Sequence, residues 1–238
     1  MKRINLISSP RNISTALMYS FAQRSDTHVI DEPLYGYYLQ LTSADHPGKD
    51  EIIRTMETDP TAIIASLLQP TEKTVLFIKN MAHHHVHQVE ERYFSSVTNV
   101  FLIRDPKQLI GSFAEVIHNP TMTDIGIARQ CELYDYAQRL GQQPPVLDSG
   151  ELLKNPEAVL QKLCHCLEIR FEKSMLSWKP GPRREDGIWA KYWYQNVHRS
   201  SGFQPQPTSN RSLPDYLMPL YEEARPYYEK LFEHSLKA

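Results

Sequence analysis

No stretch of this chain approaches the roughly 18 consecutive apolar residues that a membrane-spanning helix needs. Neither sign of charge dominates: 26 Lys and Arg against 28 Asp and Glu leave a net charge of −2. A chain so balanced has no global basic field to draw it to nucleic acid. The three cysteines, Cys131, Cys164 and Cys166, are too few for a disulfide framework and fit a reducing compartment. Cys164-His165-Cys166 is spelled like a metal site but lies inside the helical pattern Val159, Leu160, Leu163, Leu167. A core-facing helix is therefore expected there, and no metal site. Repeats and low-complexity tracts are missing, and the N-terminus runs straight into a strand pattern without signal-peptide features.

One further absence narrows the chemistry. Between Pro10 and Thr15 there is no glycine, and no lysine precedes the hydroxyl residues Ser14 and Thr15. A nucleotide kinase loop requires both, the glycines for backbone approach and the lysine to reach the β- and γ-phosphates. ATP-driven phosphoryl transfer is thereby disfavoured.

What stands in that place is informative. An apolar run, Ile4 to Ile7, leads into Ser8-Ser9-Pro10-Arg11-Asn12-Ile13-Ser14-Thr15, and a helical pattern follows through Phe21. A strand, a tight loop and a helix N-terminus present unpaired backbone N–H groups and the positive end of the helix dipole. Arg11, Ser14 and Thr15 at that spot make an anion site for phosphate or sulfate. Taken alone, Ser14 also reads as a simple helix cap.

A second strand pattern, Val100 to Ile103, stops at Arg104. Asp105 and Pro106 read as N-cap and first helical residue, and Ser112 lies about two turns on. In open parallel sheets ligands bind beyond the carboxyl ends of strands, where Arg104 and Ser112 can converge on one anion. A salt-bridged arginine and a surface serine are the plainer alternative.

Strand-like runs fall near residues 3–8, 27–31, 74–79, 98–104 and 145–148; helical patterns fall near 14–24, 60–69, 83–93, 106–117, 124–140 and 155–168. This alternation predicts an α/β fold, a three-layer sandwich with a central parallel sheet of about five strands. One domain, residues 1–238, is the expectation for this length. Segments 43–50, 179–187 and 200–210 read as loops, the second as a mobile cover for a site, and the third precedes a C-terminal helix.

Together the two arginine motifs resemble the sulfotransferase family. In that family the first loop reads Pro, Lys or Arg, Ser, Gly, Ser or Thr, Thr; the second reads Arg-Asp-Pro with a serine eight residues after the arginine. The chain matches the second at Arg104, Asp105, Pro106 and Ser112, and the first at Pro10, Arg11, Ser14 and Thr15, with Asn12 and Ile13 in place of Ser and Gly. Asp31-Glu32-Pro33-Leu34-Tyr35 is similar to the Glu-Pro-Leu segment of carbohydrate sulfotransferases, and Lys79 to His84 to the Lys-x-His strand end of aryl sulfotransferases. Leu147 to Glu157 is similar to a further segment of the family that precedes a helix. The likeness is strongest to a bacterial and eukaryotic group of sulfotransferase-like proteins of undefined substrate.

The resemblance implies a P-loop NTPase-like fold and transfer of a sulfuryl group from 3′-phosphoadenosine 5′-phosphosulfate (PAPS) to a hydroxyl or amine of a small-molecule or carbohydrate acceptor. It places the 5′-phosphosulfate on Arg11, Asn12, Ile13, Ser14 and Thr15, and the 3′-phosphate on Arg104 and Ser112. Metal is not required by such chemistry. The base is either Glu32 or a histidine of His83-His84-His85, with His84 preferred among the three; helical spacing would turn at least two of them to solvent. Lys79 either leans toward the bridging oxygen or lies on the surface, and Arg183 and Arg184 are candidates to close over phosphates. Tyr35, Tyr37 and Tyr38, with Trp189, Tyr192, Trp193 and Tyr194, offer rings for an acceptor or for adenine, or simply pack the core. No N-terminal anchor of the Golgi type is evident, so a soluble cytoplasmic protein is expected. Oligomeric state stays open, a homodimer included. Two other readings remain: a non-catalytic relative that binds an adenosine nucleotide or a partner protein, and, more remotely, a nucleotide-dependent kinase.

Overall fold

The computed structural model describes residues 1–86, 91–115, 117, 119–204 and 212–238. Six strands, β1 (Lys2–Ser8), β2 (Thr27–Asp31), β3 (Val75–Met81), β4 (Thr98–Ile103), β5 (Val146–Asp148) and β6 (Ser235–Leu236), form one sheet in the order β2-β3-β1-β4-β5-β6. Every pairing is parallel. The first five strands lie where the apolar runs predict them; the sixth is a two-residue addition at the edge.

Parallel strands covered on both faces must be apolar on both, and alternate residues here feed two separate cores. Ile7, Leu76, Ile78, Phe101, Ile103 and Val146 point to one face. Ile4, Leu6, Val75, Phe77, Val100, Leu102 and Leu147 point to the other. Helices α1 (Ser14–Phe21), α2 (Tyr35–Leu41), α3 (Lys49–Thr55), α4 (Pro60–Leu67), α5 (Glu91–Ser95), α6 (Pro106–Ala114), α7 (Met122–Ile125), α8 (Ile127–Arg139), α9 (Ser149–Lys154), α10 (Pro156–Cys166), α11 (Ala190–Trp193), α12 (Gln195–His198) and α13 (Met218–Glu233) complete the layers among the described residues. α4, α6, α8 and α13 cover the first face, and α1 and α10 the second.

Local chemistry explains several boundaries. Asp105 caps α6 by accepting from the Lys107 N–H, with Pro106 at the first helical position. The single helix expected over 124–140 is two, because Gly126 adopts φ +69°, closing α7 and opening α8. The expected loop at 43–50 ends in α3, which starts at Lys49 behind Gly48. The helix expected over 83–93 is not continuous: a 3₁₀ turn spans Ala82–His84, α5 begins at Glu91, and residues 87–90 lie outside the described residues. Most of the expected 200–210 loop lies outside them as well.

The strand order creates the site. The chain leaves β1 for β2 on one side and later returns to β4 on the other, so the strand order reverses at β1. Ser8 of β1 lies beside Leu102 of β4. From these adjacent carboxyl ends, one loop runs to α1 on one face of the sheet and the other to α6 on the opposite face. The diverging loops leave a crevice, the usual ligand position in this topology.

Candidate active site

A cavity of about 830 Å³ opens along the carboxyl edge of the sheet. Arg11 after β1 and Arg104 after β4 both line it, with Ser14, Thr15 and Ser112; Glu32 after β2 and His84 after β3 line the same cavity.

At the β1/β4 end, Arg11 adopts φ +52°, a left-handed conformation that costs a non-glycine residue free energy. The turn is held by neighbours. Arg104 Nη1 donates to the Arg11 carbonyl. Asn12 Nδ2 donates to the Leu102 carbonyl at 3.1 Å and to Ser9 Oγ at 3.4 Å. Asn12 thus ties the loop to β4, so a loop without glycine still keeps a defined path. Its side-chain oxygen takes the Ile13 N–H at 2.8 Å. Ser14 does not cap α1: Ile13 is the N-cap residue, and no side chain accepts from the first turn. The leading N–H groups of α1 are therefore left for an outside partner. Arg11 Nε donates to Ser112 Oγ at 3.2 Å. Neither arginine forms an ion pair among the described residues; Glu115 acts on Arg11, and Asp105 and Asp148 on Arg104, only at longer range. Burial lowers both guanidinium pKa values, and the proximity of Arg11 lowers that of Arg104 further.

At the β2/β3 end, Lys79 is not on the surface. It is 0% exposed and does not line the cavity. Its ammonium donates to Asp31 Oδ1 at 2.8 Å, to Glu32 Oε1 and to Tyr194 Oη at 2.8 Å. Burial alone would lower the pKa of Lys79, but Asp31 and Glu32 outweigh it and the pKa is raised, so the ammonium stays charged. Two carboxylates share that one cation. Burial raises the Glu32 pKa, Lys79 pulls it back, and Asp31 raises it again; the net result is upward. Glu32, at φ +42°, keeps Oε2 free of hydrogen bonds from the described residues, 3.9 Å from His84 Nδ1.

Contrary to expectation, His83, His84 and His85 are all buried. The 3₁₀ turn folds them under α2: the rings of Tyr35 and Tyr38 stack on His84 with centroids at 4.7 and 4.8 Å. Burial first, and then neighbouring His83, His46, His85 and Lys79, pushes the His84 pKa well below its usual value. His83 and His85 fall to about 3, chiefly by burial. His83 also lines the cavity, as does His46, which accepts or donates at 2.8 Å to the Tyr35 hydroxyl.

Several other candidates sit elsewhere. Trp193 and Tyr194 line the cavity, as do Tyr35 and Tyr38, whereas Tyr37 packs in the core under α4, Trp189 lies behind Tyr194, and Tyr192 is exposed. Arg183 stacks over Tyr19 at 5.1 Å and pairs with Glu185, and Arg184 is exposed; neither lines the cavity. Segment 179–187 is fastened: Asp186 accepts from Tyr19 Oη at 2.7 Å and from the Arg183 N–H at 2.8 Å, and meets His198 Nε2 at 2.9 Å. In place of those arginines, Arg199 and Lys154 line the cavity, with Gln108 and Asn196. Gln108 and Lys154 fall within the Arg104–Ser112 and Leu147–Glu157 segments, where nothing singles them out, and Asn196 and Arg199 come from α12 and its end, which carry no motif. Cys164 is buried and Cys166 exposed on α10, so the two do not converge.

The model of a sulfotransferase domain family matches residues 1–233. The chain belongs to that family. A curated relative, branched-chain-amino-acid aminotransferase-like protein 2 of Arabidopsis thaliana, is 37% identical over 235 residues, 98% of this chain but 42% of its own length. This chain thus spans less than half of that relative. Among solved structures, the sulfotransferase domain from the olefin synthase of Synechococcus PCC 7002 superposes with a TM-score of 0.69 at 17% identity, covering 99% of this chain and 96% of that one. A sulfotransferase from Alicyclobacillus acidocaldarius gives 0.55 at 11% identity, covering 99% and 98%. At such identities these likenesses speak for the fold alone. No helix among the described residues is long and apolar enough to cross a membrane.

Proposed function

We propose that this protein moves a sulfuryl group from PAPS to a hydroxyl of a small-molecule acceptor. One observation carries the reading: two arginines without ion-pair partners among the described residues share a cavity with Glu32, whose Oε2 takes no hydrogen bond from those residues.

Donor and acceptor are both substrates, and the residues fit both. Arg104 and Ser112 take the 3′-phosphate. The leading N–H groups of α1 and the hydroxyls of Ser14 and Thr15 take the 5′ end, where charge grows as the sulfuryl group leaves. Arg11, with its Nε resting on Ser112, stands between the two. Guanidinium and amide donors neutralise the leaving group. Glu32 Oε2 accepts the proton of the acceptor hydroxyl; the acceptor oxygen forms the new bond to sulfur, the bond from sulfur to the 5′-phosphate oxygen breaks, and adenosine 3′,5′-bisphosphate departs. Glu32 suits this role better than His84. Its raised pKa makes it a stronger base, whereas the depressed pKa of His84 makes its imidazole a weak one. A hydroxyl about 2.8 Å from both Glu32 Oε2 and His84 Nδ1 closes a reasonable triangle on their 3.9 Å separation, so His84 aims the acceptor.

The test is ligand binding by thermal shift and calorimetry in EDTA. Adenosine 3′,5′-bisphosphate should raise the melting temperature without Mg²⁺, by about 2.7 kcal/mol of added stability at a hundredfold excess over Kd. Label should pass from radiolabelled PAPS to at least one member of a panel of hydroxyl compounds. Stabilisation by Mg-ATP and not by the bisphosphate would overturn the reading. Binding without transfer to any acceptor would favour a non-catalytic nucleotide binder.

A further inference from the structure

Tyr194 is buried at the wall of the cavity and comes from the turn between α11 and α12, 115 residues along the chain from Lys79. Its hydroxyl touches four partners. It donates to Asp31 Oδ2 at 2.7 Å, accepts from Lys79 Nζ at 2.8 Å and from Trp189 Nε1 at 3.1 Å, and lies 3.2 Å from Glu32 Oε1. A phenol has one proton and two lone pairs, so these contacts use all its capacity. Lys79 has three protons, and they go to Asp31, Glu32 and Tyr194. Asp31 Oδ2 also receives the Gly187 N–H at 3.3 Å. Asp31 thereby accepts three hydrogen bonds and balances Lys79. Glu32 is left as the second carboxylate, pinned through Oε1 alone.

We infer that Tyr194 is a positioning residue: its hydroxyl completes the coordination of Lys79 and Asp31 so that Glu32 is held by one oxygen and presents the other to the cavity. The inference rests on the sulfotransferase reading given above for the role of Glu32, and it goes beyond it. The charged and titratable groups facing Glu32 are Asp31 on its own strand end, Lys79 on β3, His84 on the 3₁₀ turn, Tyr35 on α2, and Tyr194. Of these, Tyr194 hydrogen-bonds the Lys79–Asp31 pair and can be silenced by a near-isosteric change that leaves every formal charge in place, whereas the Tyr35 hydroxyl is engaged with His46. The phenol proton goes to Asp31; without it Asp31 draws more heavily on Lys79, which then lowers the Glu32 pKa less, so Tyr194→Phe should shift the titration of Glu32 upward.

The experiment is a ¹³C NMR titration of glutamate carboxyl groups in the full chain, with the Glu32 signal assigned by its loss in Glu32→Gln. In Tyr194→Phe the Glu32 midpoint should rise by about half a pH unit, part of the worth of the hydrogen bond lost from the shared network. Affinity for adenosine 3′,5′-bisphosphate should stay within about twofold, since one hydrogen bond far from the arginines is worth little there. With an active acceptor, the acid limb of kcat/KM should move by the same interval. Trp189→Phe removes the indole donor to Tyr194, together with part of a ring packed on Tyr35, and should move the midpoint the same way by less; it serves where Tyr194→Phe does not fold. A Glu32 midpoint unchanged in folded variants overturns the inference. A shifted midpoint in a protein that transfers no sulfate would leave it standing and sink the proposed function instead.

Discussion

At the β1/β4 end of the cavity, Arg11 and Arg104 lie near each other without an ion pair among the described residues; at the β2/β3 end, Lys79 is enclosed by two carboxylates and a phenol. The arginines are part-buried and Lys79 is wholly buried, but only the second end compensates its charge internally. A buried cation without a counter-ion raises the free energy of the folded chain, and an arriving anion recovers that cost. The first end is built to wait for a ligand. The second already holds its counter-charges, and its excess is negative: two carboxylates against one ammonium, which leaves Glu32 with a raised pKa and an open oxygen. On the function proposed above, the contrast divides labour within one site, the arginine end binding the donor and the carboxylate end taking a proton from the acceptor.

The most severe way to break this division is Glu32→Gln. The amide keeps the volume and leaves Lys79 balanced by Asp31, so folding should persist. Loss of a general base costs about 10²–10⁴ in kcat, while affinity for adenosine 3′,5′-bisphosphate should not change. In the parent protein, kcat/KM should fall as pH drops through the Glu32 midpoint. That midpoint lies above the ordinary carboxylate value because the buried group must ionise to act and burial opposes ionisation. A variant that keeps parental turnover would transfer the base role away from Glu32.

Next in size is Arg104→Ala. Its guanidinium sits at the ligand-facing end and also fastens the Arg11 carbonyl. Truncation should weaken adenosine 3′,5′-bisphosphate on the order of 100-fold, since charge-assisted contacts to a phosphate are worth several kcal/mol when desolvated. Because Arg104 has no ion-pair partner among the described residues and gives up one hydrogen bond, to the Arg11 carbonyl, the melting temperature without ligand should change little. Marked destabilisation with unaltered affinity would make Arg104 a structural group and erase the contrast between the two ends.

Much of the arginine end is legible in the chain because its parts are local. An apolar strand, a loop cation and a helix start follow one another over about ten residues at Ile4–Thr15 and again at Val100–Ser112, and parallel topology then brings strand ends together. The carboxylate end is much less so. Lys79 sits in a strand whose seven residues are all buried, and nothing local says that it will find Asp31, Glu32 and Tyr194. The histidines illustrate the same limit: at least two of three consecutive polar residues read as solvent-facing, yet all three are buried, with Tyr35 and Tyr38 arriving from α2 to cover His84. Their burial is a property of packing between elements and leaves no periodic trace. The edge strand Ser235–Leu236 is too short to stand out in sequence and exists because β5 offers it a partner.

The smallest effect sharpens the arginine end itself. Ser112 Oγ accepts from Arg11 Nε at 3.2 Å, so the hydroxyl has two conceivable jobs: to donate its own proton to a 3′-phosphate, or to hold Arg11 in place. Ser112→Ala separates them. One neutral hydrogen bond is worth about 1 kcal/mol, or roughly fivefold in affinity. If Ser112 meets the 3′-phosphate, calorimetry should show about that loss for adenosine 3′,5′-bisphosphate and none for adenosine 5′-monophosphate, which lacks the group. An equal loss for both ligands would mean that the serine works through Arg11, which serves the 5′ end as well. The partition of affinity between the two ligands therefore reports whether the cationic end is one undivided anion trap or two adjacent phosphate sites sharing an arginine.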